Sequence, residues 1–168
     1  MSNVNITIAN ATDLSDINEI YNYYVLNSTC TYQTEPESLP SRQEWFAQHQ
    51  ATHPVTVAKI LHNGQNILVG WGSLSSFHRR QAFNKTVENS VYVHHEHLHQ
   101  GIGKALLIDL LARAKAIGHH TVIAAIDSSQ SPSIALHSKL GFKPAGQLKE
   151  AGFKFNRWLD IVYLQLMI

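Results

Sequence analysis

Hydrophobic and polar positions follow two different periods along this chain, and the switches between them set the order of its elements. Residues 4–8 alternate apolar and polar, which predicts a half-buried strand. From Asp13 the spacing changes. Leu14, Ile17, Ile20, Tyr21, Tyr24 and Val25 fall on one face of a helix that Asp13 opens. After Pro40, Ser41 and Glu44 have capping-box spacing and predict a second helix through Trp45 and Phe46. The apolar runs 55–61 and 67–74 flank Asn63-Gly64, a dipeptide that favours two-residue hairpin turns. Residues 77–85 are polar and basic and read as a loop. Residues 86–93 form the next strand, with Glu88, Ser90 and Tyr92 on one face and Val87, Val91 and Val93 on the other.

A helix from about Gly103 to Ile117 is expected to bury Ala105, Leu106, Ile108 or Leu110, Leu111 and Ala114, with Gly118 as its stop. Residues 121–126 are apolar without alternation, as in a strand covered on both faces. Residues 133–140 make a short helix stopped by Gly141, and residues 154–167 supply a last pair of strands. The order is β-α-α-β-β-β-α-β-α-β-β, an α/β fold with a central mixed sheet flanked by helices. With no repeat, linker or low-complexity tract in 168 residues, residues 1–168 are expected to form one domain.

Composition narrows the classes. At 44% hydrophobic residues a packed core is feasible. Thirteen basic and 12 acidic residues give a formal net charge of +1, without the basic excess of a general nucleic-acid binder, so no nucleic-acid partner is expected. Eleven histidines would raise that charge below about pH 6.5. The single cysteine, Cys30, allows no intrachain disulfide, and an intracellular, cytoplasmic setting is expected. No basic leader with an apolar core is visible at the start. No apolar run approaches the roughly 18 residues of a membrane span, so no membrane partner is expected.

The chemistry concentrates in residues 91–107, VYVHHEHLHQGIGKALL. A strand runs into a Gly-x-Gly turn and an amphipathic helix follows at once. Such a turn leaves backbone N–H groups free at a helix N-terminus, which suits phosphate. Gly101 and Gly103 allow close approach of a ligand, and Lys104 adds charge. A dinucleotide fingerprint would need glycine where Leu106 stands. A P-loop would need a hydroxyl where Ala105 stands. An ordinary tight strand-to-helix turn uses the same residues, so the motif alone leaves both readings open.

Other residues carry similar pairs of readings. Glu88 is either a surface residue of an edge strand or a buried carboxylate with a raised pKa, suited to general-base work. His137 is either an ordinary helical histidine or a participant in chemistry. The adjacent Arg79 and Arg80 are either a solvated pair or a clamp for carboxylate or phosphinate. His94, His95, His97 and His99 would diverge in an extended loop, so no metal is expected there. Cys30 reads as a small core or pocket residue, and Trp45, Trp71 and Trp158 as core or interface residues.

Taken together, the segments STCTYQTEP (28–36), TVENSVYV (86–93), QGIGKALL (100–107), SIALHSKLGF (133–142) and GFKFNRWLD (152–160) resemble the GNAT superfamily of N-acetyltransferases. Within it they resemble the phosphinothricin and methionine sulfoximine acetyltransferase group, nearly end to end. The resemblance implies the GNAT acyl-CoA N-acyltransferase fold and acetyl-CoA as cosubstrate. It implies a small amino acid analogue as acceptor, with phosphinothricin and methionine sulfoximine or sulfone leading. It also implies Glu88 as base, and His137 as the acid facing the thiolate or as a residue that positions CoA. Val91, Tyr92 and Val93 would pair with the pantetheine arm, and His99, Gln100, Gly101, Ile102, Gly103 and Lys104 would hold the diphosphate. Gln130 and Ser133 would contact the cosubstrate. Tyr32, Thr34, Phe77, Arg79, Arg80, Phe83, Phe153 and Lys154 would surround the acceptor. The group is usually dimeric, so a homodimer is expected. Two positions depart from its pattern: Leu98 stands where arginine is usual, and Gln130 where asparagine is usual. An acetyltransferase for another amine, a polyamine or a protein N-terminus, and a CoA-binding module without catalysis are the other readings.

Overall fold

The computed structural model describes residues 4–49 and 51–168. Seven strands form one mixed sheet in the order β1-β2-β3-β4-β5-β7-β6. β1 (Asn5–Ile8), β2 (Val55–His62), β3 (Gln65–Ser76) and β4 (Thr86–Val93) are successive antiparallel neighbours. β5 (Thr121–Asp127) joins β4 in parallel, and β7 (Arg157–Met167) and β6 (Lys143–Lys154) complete the far side in antiparallel pairs. The helices α1 (Leu14–Asn27), α2 (Leu39–Ala47), α3 (Ile102–Ile117) and α4 (Ser131–Lys139) occur at the expected places in this order. None of the described helices is long and apolar enough to cross a membrane.

Local chemistry explains most boundaries. Asn63 and Gly64 both take positive φ and close the β2–β3 hairpin as a two-residue turn between His62 and Gln65. Gly118 takes φ 88° and ends α3. Two starts differ from expectation. The capping box at the first helix is Asn10 with Asp13, which opens a 3-10 turn (Ala11–Asp13) ahead of α1. For α2 the cap is Ser38, whose hydroxyl accepts from the Ser41 amide, so Pro40 sits inside the first turn. Ser41 and Glu44 form no capping box, because the Ser41 hydroxyl donates to Glu37 instead.

The core lies on both faces of the sheet. Trp71 packs with Leu14, Ile17 and Ile20 on the α1 face. Leu107, Leu110 and Ala114 pack on Val87, Val122 and Leu164 on the α3 face. The buried stripe of α3 is Ile102, Leu106, Leu107, Leu110 and Ala114. Ile108 is exposed, which rotates the stripe relative to the expected one. β5 is buried on both faces as its lack of alternation implied. β4 is the fourth strand of seven, so Glu88 is not on an edge. β6 begins at Lys143, well before the predicted strand pair, and is exposed along almost its whole length.

Candidate active site

β4 and β5 part company in the middle of the sheet. They pair only over Thr86–Thr121, Val87–Val122 and Glu88–Ile123. Beyond that, β4 stays with β3 and β5 with β7. The split opens a cleft of about 720 Å³. His94 donates its amide to the Val69 carbonyl of β3 at 2.8 Å. Alternation along an antiparallel ladder therefore turns the main-chain groups of Val91 and Val93 toward the split, and those of Tyr92 toward β3. The Tyr24 phenol donates to the Val93 carbonyl there at 2.5 Å. The main-chain groups of Val91 are not used by β5, and they form a sheet edge suited to an extended, amide-bearing ligand.

One end of the cleft is the glycine turn. Gly101, at φ 83°, precedes the first residue of α3, and no side chain caps the helix. The amides of Ile102, Gly103 and Lys104 therefore have no intrahelical acceptor, an arrangement that suits an anion. A Cβ on Gly103 would meet Val93 Cγ2 at 3.5 Å and Leu136 Cδ2 at 3.7 Å, both cleft-lining residues. His99 borders the same end with φ 61°. Gln100 is exposed in the turn and is not among the residues that line the cleft.

The other end holds Glu88. It lines the cleft and is half-buried, and this burial alone pushes its carboxyl above the usual carboxylate range. Tyr32 and Tyr163 line the cleft nearby. The Tyr32 hydroxyl is buried without a partner among the described residues, and burial pushes its phenol up. Cys30 is half-buried in the same wall, and burial raises its thiol.

His137 projects from α4 and is 4% exposed. Its Nδ1 donates to the Ser133 carbonyl at 2.8 Å, and its Nε2 accepts from Asn89 Nδ2 at 3.0 Å. Burial holds the ring below the ordinary histidine range. A neutral imidazole bonded in this way has no proton left for a thiolate, so the arrangement favours positioning over acid catalysis. Ser133 and Gln130 both line the cleft. Gln130 already uses its amide N–H groups on Thr29 Oγ1 at 3.1 Å and Ser28 Oγ at 3.5 Å, tying the α1–α2 loop to the start of α4.

The expected acceptor residues divide. Tyr32 is in the cleft wall, whereas Thr34, Phe77, Arg79, Arg80, Phe83, Phe153 and Lys154 are not among its lining. Lys154 is buried, and its ammonium donates to the carbonyls of Ser28 at 2.7 Å and Thr31 at 2.8 Å. It anchors the loop that carries Cys30 and Tyr32, and its charge is occupied there. Phe77 and Phe83 pack edge to face at 5.9 Å within the β3–β4 loop. Arg79 and Arg80 are exposed in that loop, just ahead of the strand that carries Glu88. Phe153 packs on Trp158 at the exposed β6–β7 hairpin. Asn89, Tyr163 and Cys30 are cleft residues that the sequence did not single out for the chemistry.

The acetyltransferase (GNAT) family profile matches residues 17–142. The L-methionine sulfoximine/L-methionine sulfone acetyltransferase of Pseudomonas paraeruginosa is 39% identical, covering 94% of this chain and 91% of the relative. The phosphinothricin N-acetyltransferase of Streptomyces viridochromogenes is 33% identical, covering 96% and 86%. The crystal structure of a GNAT superfamily phosphinothricin acetyltransferase from Sinorhizobium meliloti, in complex with AcCoA, superposes with a TM-score of 0.93 at 37% identity. It covers 100% of this chain and 89% of that one.

Proposed function

The chain belongs to the GNAT family of acetyltransferases, and from that premise we propose that it moves acetyl from acetyl-CoA to the amine of a small amino acid analogue. Phosphinothricin and methionine sulfoximine or sulfone are the leading acceptors. The observation that carries the reading is a single cleft with free helix amides at one end and a half-buried, uncompensated carboxylate at the other.

The residues divide the work. The amides of Ile102, Gly103 and Lys104 take the diphosphate, and the open edge at Val91, with the amide of Val93, takes the pantetheine arm. That places the thioester toward Glu88. The Glu88 carboxylate removes a proton from the acceptor ammonium, directly or through water. The freed amine attacks the acetyl carbon, the new C–N bond forms and the C–S bond breaks; the second proton shed by the nitrogen passes to the departing sulfur, directly or through water, and CoA leaves as the thiol. Cys30 need not act as nucleophile, because direct attack requires no acyl-enzyme. His137 serves by holding its place against Asn89 and Ser133.

A polyamine would call for several carboxylates. Glu88 is the one carboxylate among the described residues lining the cleft, and this disfavours that class. Arg79 and Arg80 form no ion pair with a described residue, and each is free to meet an acceptor carboxylate or phosphinate. The decisive test is a thiol-release assay with acetyl-CoA against phosphinothricin, methionine sulfoximine, methionine sulfone, spermidine and a short peptide. Turnover is expected with the first three. Arg79→Ala and Arg80→Ala are expected to raise the KM for such an acceptor about tenfold, with the KM for acetyl-CoA unmoved. Unchanged acceptor KM in both variants removes the carboxylate clamp from the proposal.

We further propose a homodimer. The support is the exposed apolar group Leu148, Phe153, Phe155 and Trp158 on the β6–β7 hairpin, an unusual concentration for a solvent-facing edge. Light scattering is expected to give twice the mass of one chain, and the mass of a single chain at micromolar concentration would rule the dimer out.

A further inference from the structure

Asn89 is the one polar residue on the valine face of β4, between Val87 and Val91. It is 7% exposed, lines the cleft and donates from Nδ2 to His137 Nε2 at 3.0 Å. Its other end, Oδ1, is buried with no partner among the described residues. A carbonyl left unpaired inside a protein is costly and rare, and at a ligand cleft it marks a group awaiting a donor.

His137 decides which end of the amide faces which way. The Ser133 carbonyl can only accept, so the nitrogen 2.8 Å from it, Nδ1, carries a proton. A neutral ring protonated at Nδ1 has a bare lone pair at Nε2. Only the NH₂ end of Asn89 can meet that lone pair, and Oδ1 is thereby turned away from His137. The chain Ser133–His137–Asn89 thus orients an acceptor oxygen by a fixed sequence of donors and acceptors.

The position along β4 identifies the donor. The strand runs from Glu88, at the reacting amine, to Val93, next to the glycine turn that takes the diphosphate. Asn89 lies at the thioester end of the arm between them. The last polar group of the pantetheine arm before sulfur is an amide whose nitrogen is two carbons from that sulfur. We propose that Asn89, held by His137, is a positioning residue whose Oδ1 accepts the N–H of this amide and so sets the distance of the thioester from Glu88. The proposal rests on the acetyl-CoA reading above.

Two measurements on the full chain test it. In nitrogen NMR of the free protein, the His137 side chain is expected to be protonated at Nδ1 and bare at Nε2. A proton on Nε2 would put Oδ1 against His137 and overturn the proposal. In the second, calorimetry compares acetyl-CoA with an analogue in which that amide is an ester. Wild type is expected to bind the amide form about tenfold more tightly, the range of one hydrogen bond, and Asn89→Leu is expected to lose the preference. Asn89→Asp keeps an acceptor oxygen, so it is expected to keep the preference while both His137 nitrogens become protonated. Equal binding of the two ligands by wild type, or a preference that survives in Asn89→Leu, overturns the role of Asn89 and leaves the acetyl-CoA reading standing. The wild-type comparison stands even if Asn89→Leu fails to fold. No binding of acetyl-CoA by wild type overturns that reading itself.

Discussion

Replacing Glu88 with Gln is expected to lower kcat by about a hundredfold or more, the contribution of a well-placed general base, while leaving the protein folded. Gln matches Glu in size, so packing around β4 is preserved. What is lost is the carboxylate, whose pKa burial raises without a neighbouring cation to pull it back. The sign of the pH effect follows. A base works when deprotonated, so wild-type kcat/KM is expected to fall as pH drops through the raised value, and Glu88→Gln is expected to lack that limb. The same shift predicts the stability. A carboxyl whose pKa is raised on folding favours the folded state when protonated and costs stability once pH rises above its ordinary range. Glu88→Gln is therefore expected to melt at the same temperature as wild type or higher near neutral pH. A structural glutamate would show the reverse, with lower melting temperature and intact turnover. Wild-type kcat and an unchanged acidic limb in Glu88→Gln would remove Glu88 from the mechanism.

The order of elements was legible because each rests on local chemistry. Asn63-Gly64 demands its turn, Gly118 stops its helix, and Val87, Val91 and Val93 alternate against Glu88 and Tyr92 whatever the rest of the chain does. The cleft itself was not legible without the family resemblance. It arises because β4 and β5 share only three residue pairs, and a register between strands 35 residues apart leaves no trace in either strand's own pattern. β6 escaped notice for a related reason. It pairs on one side only and is solvent-covered on both faces, so KPAGQLKEAGFK carries no period to read. The capping of α2 turned on a choice between two serines three residues apart, Ser38 and Ser41, which the backbone settles. Lys154 and Gln130 were expected as ligand contacts because the resemblance implied it. Their donors are spent on the carbonyls and hydroxyls of the 28–31 loop, a long-range contact invisible along the chain. For Asn89 a signal did exist: a polar residue on an otherwise valine face has to be satisfied by something.

Gly103→Leu is expected to abolish acetyl-CoA binding without harming the fold. Gly103 is the second residue of α3, where glycine is a poor helix former, and a side chain there improves helix propensity by several tenths of a kcal/mol or about 1 kcal/mol. The first atom of that side chain finds only ordinary contacts, at 3.5 Å from Val93 and 3.7 Å from Leu136. The protein itself therefore gives little reason for glycine at this position, and a ligand gives a strong one. The remaining atoms of leucine would extend among Val91, Val93 and Leu136, into the space between the strand edge and the helix amides that is proposed to receive the cosubstrate. Thermal melting separates the two effects. Acetyl-CoA at a hundred times its Kd is expected to stabilise wild type by about 2.7 kcal/mol. For a domain of this size that raises Tm by about 5 to 10 °C. Gly103→Leu is expected to melt alone at or slightly above the wild-type temperature and to show no rise with acetyl-CoA. A full ligand-induced shift in Gly103→Leu would mean that the cosubstrate does not pass over this turn, and the assignment of the cleft's two ends would have to be abandoned. A large drop in the ligand-free Tm would instead show that the glycine serves packing that the described contacts do not contain.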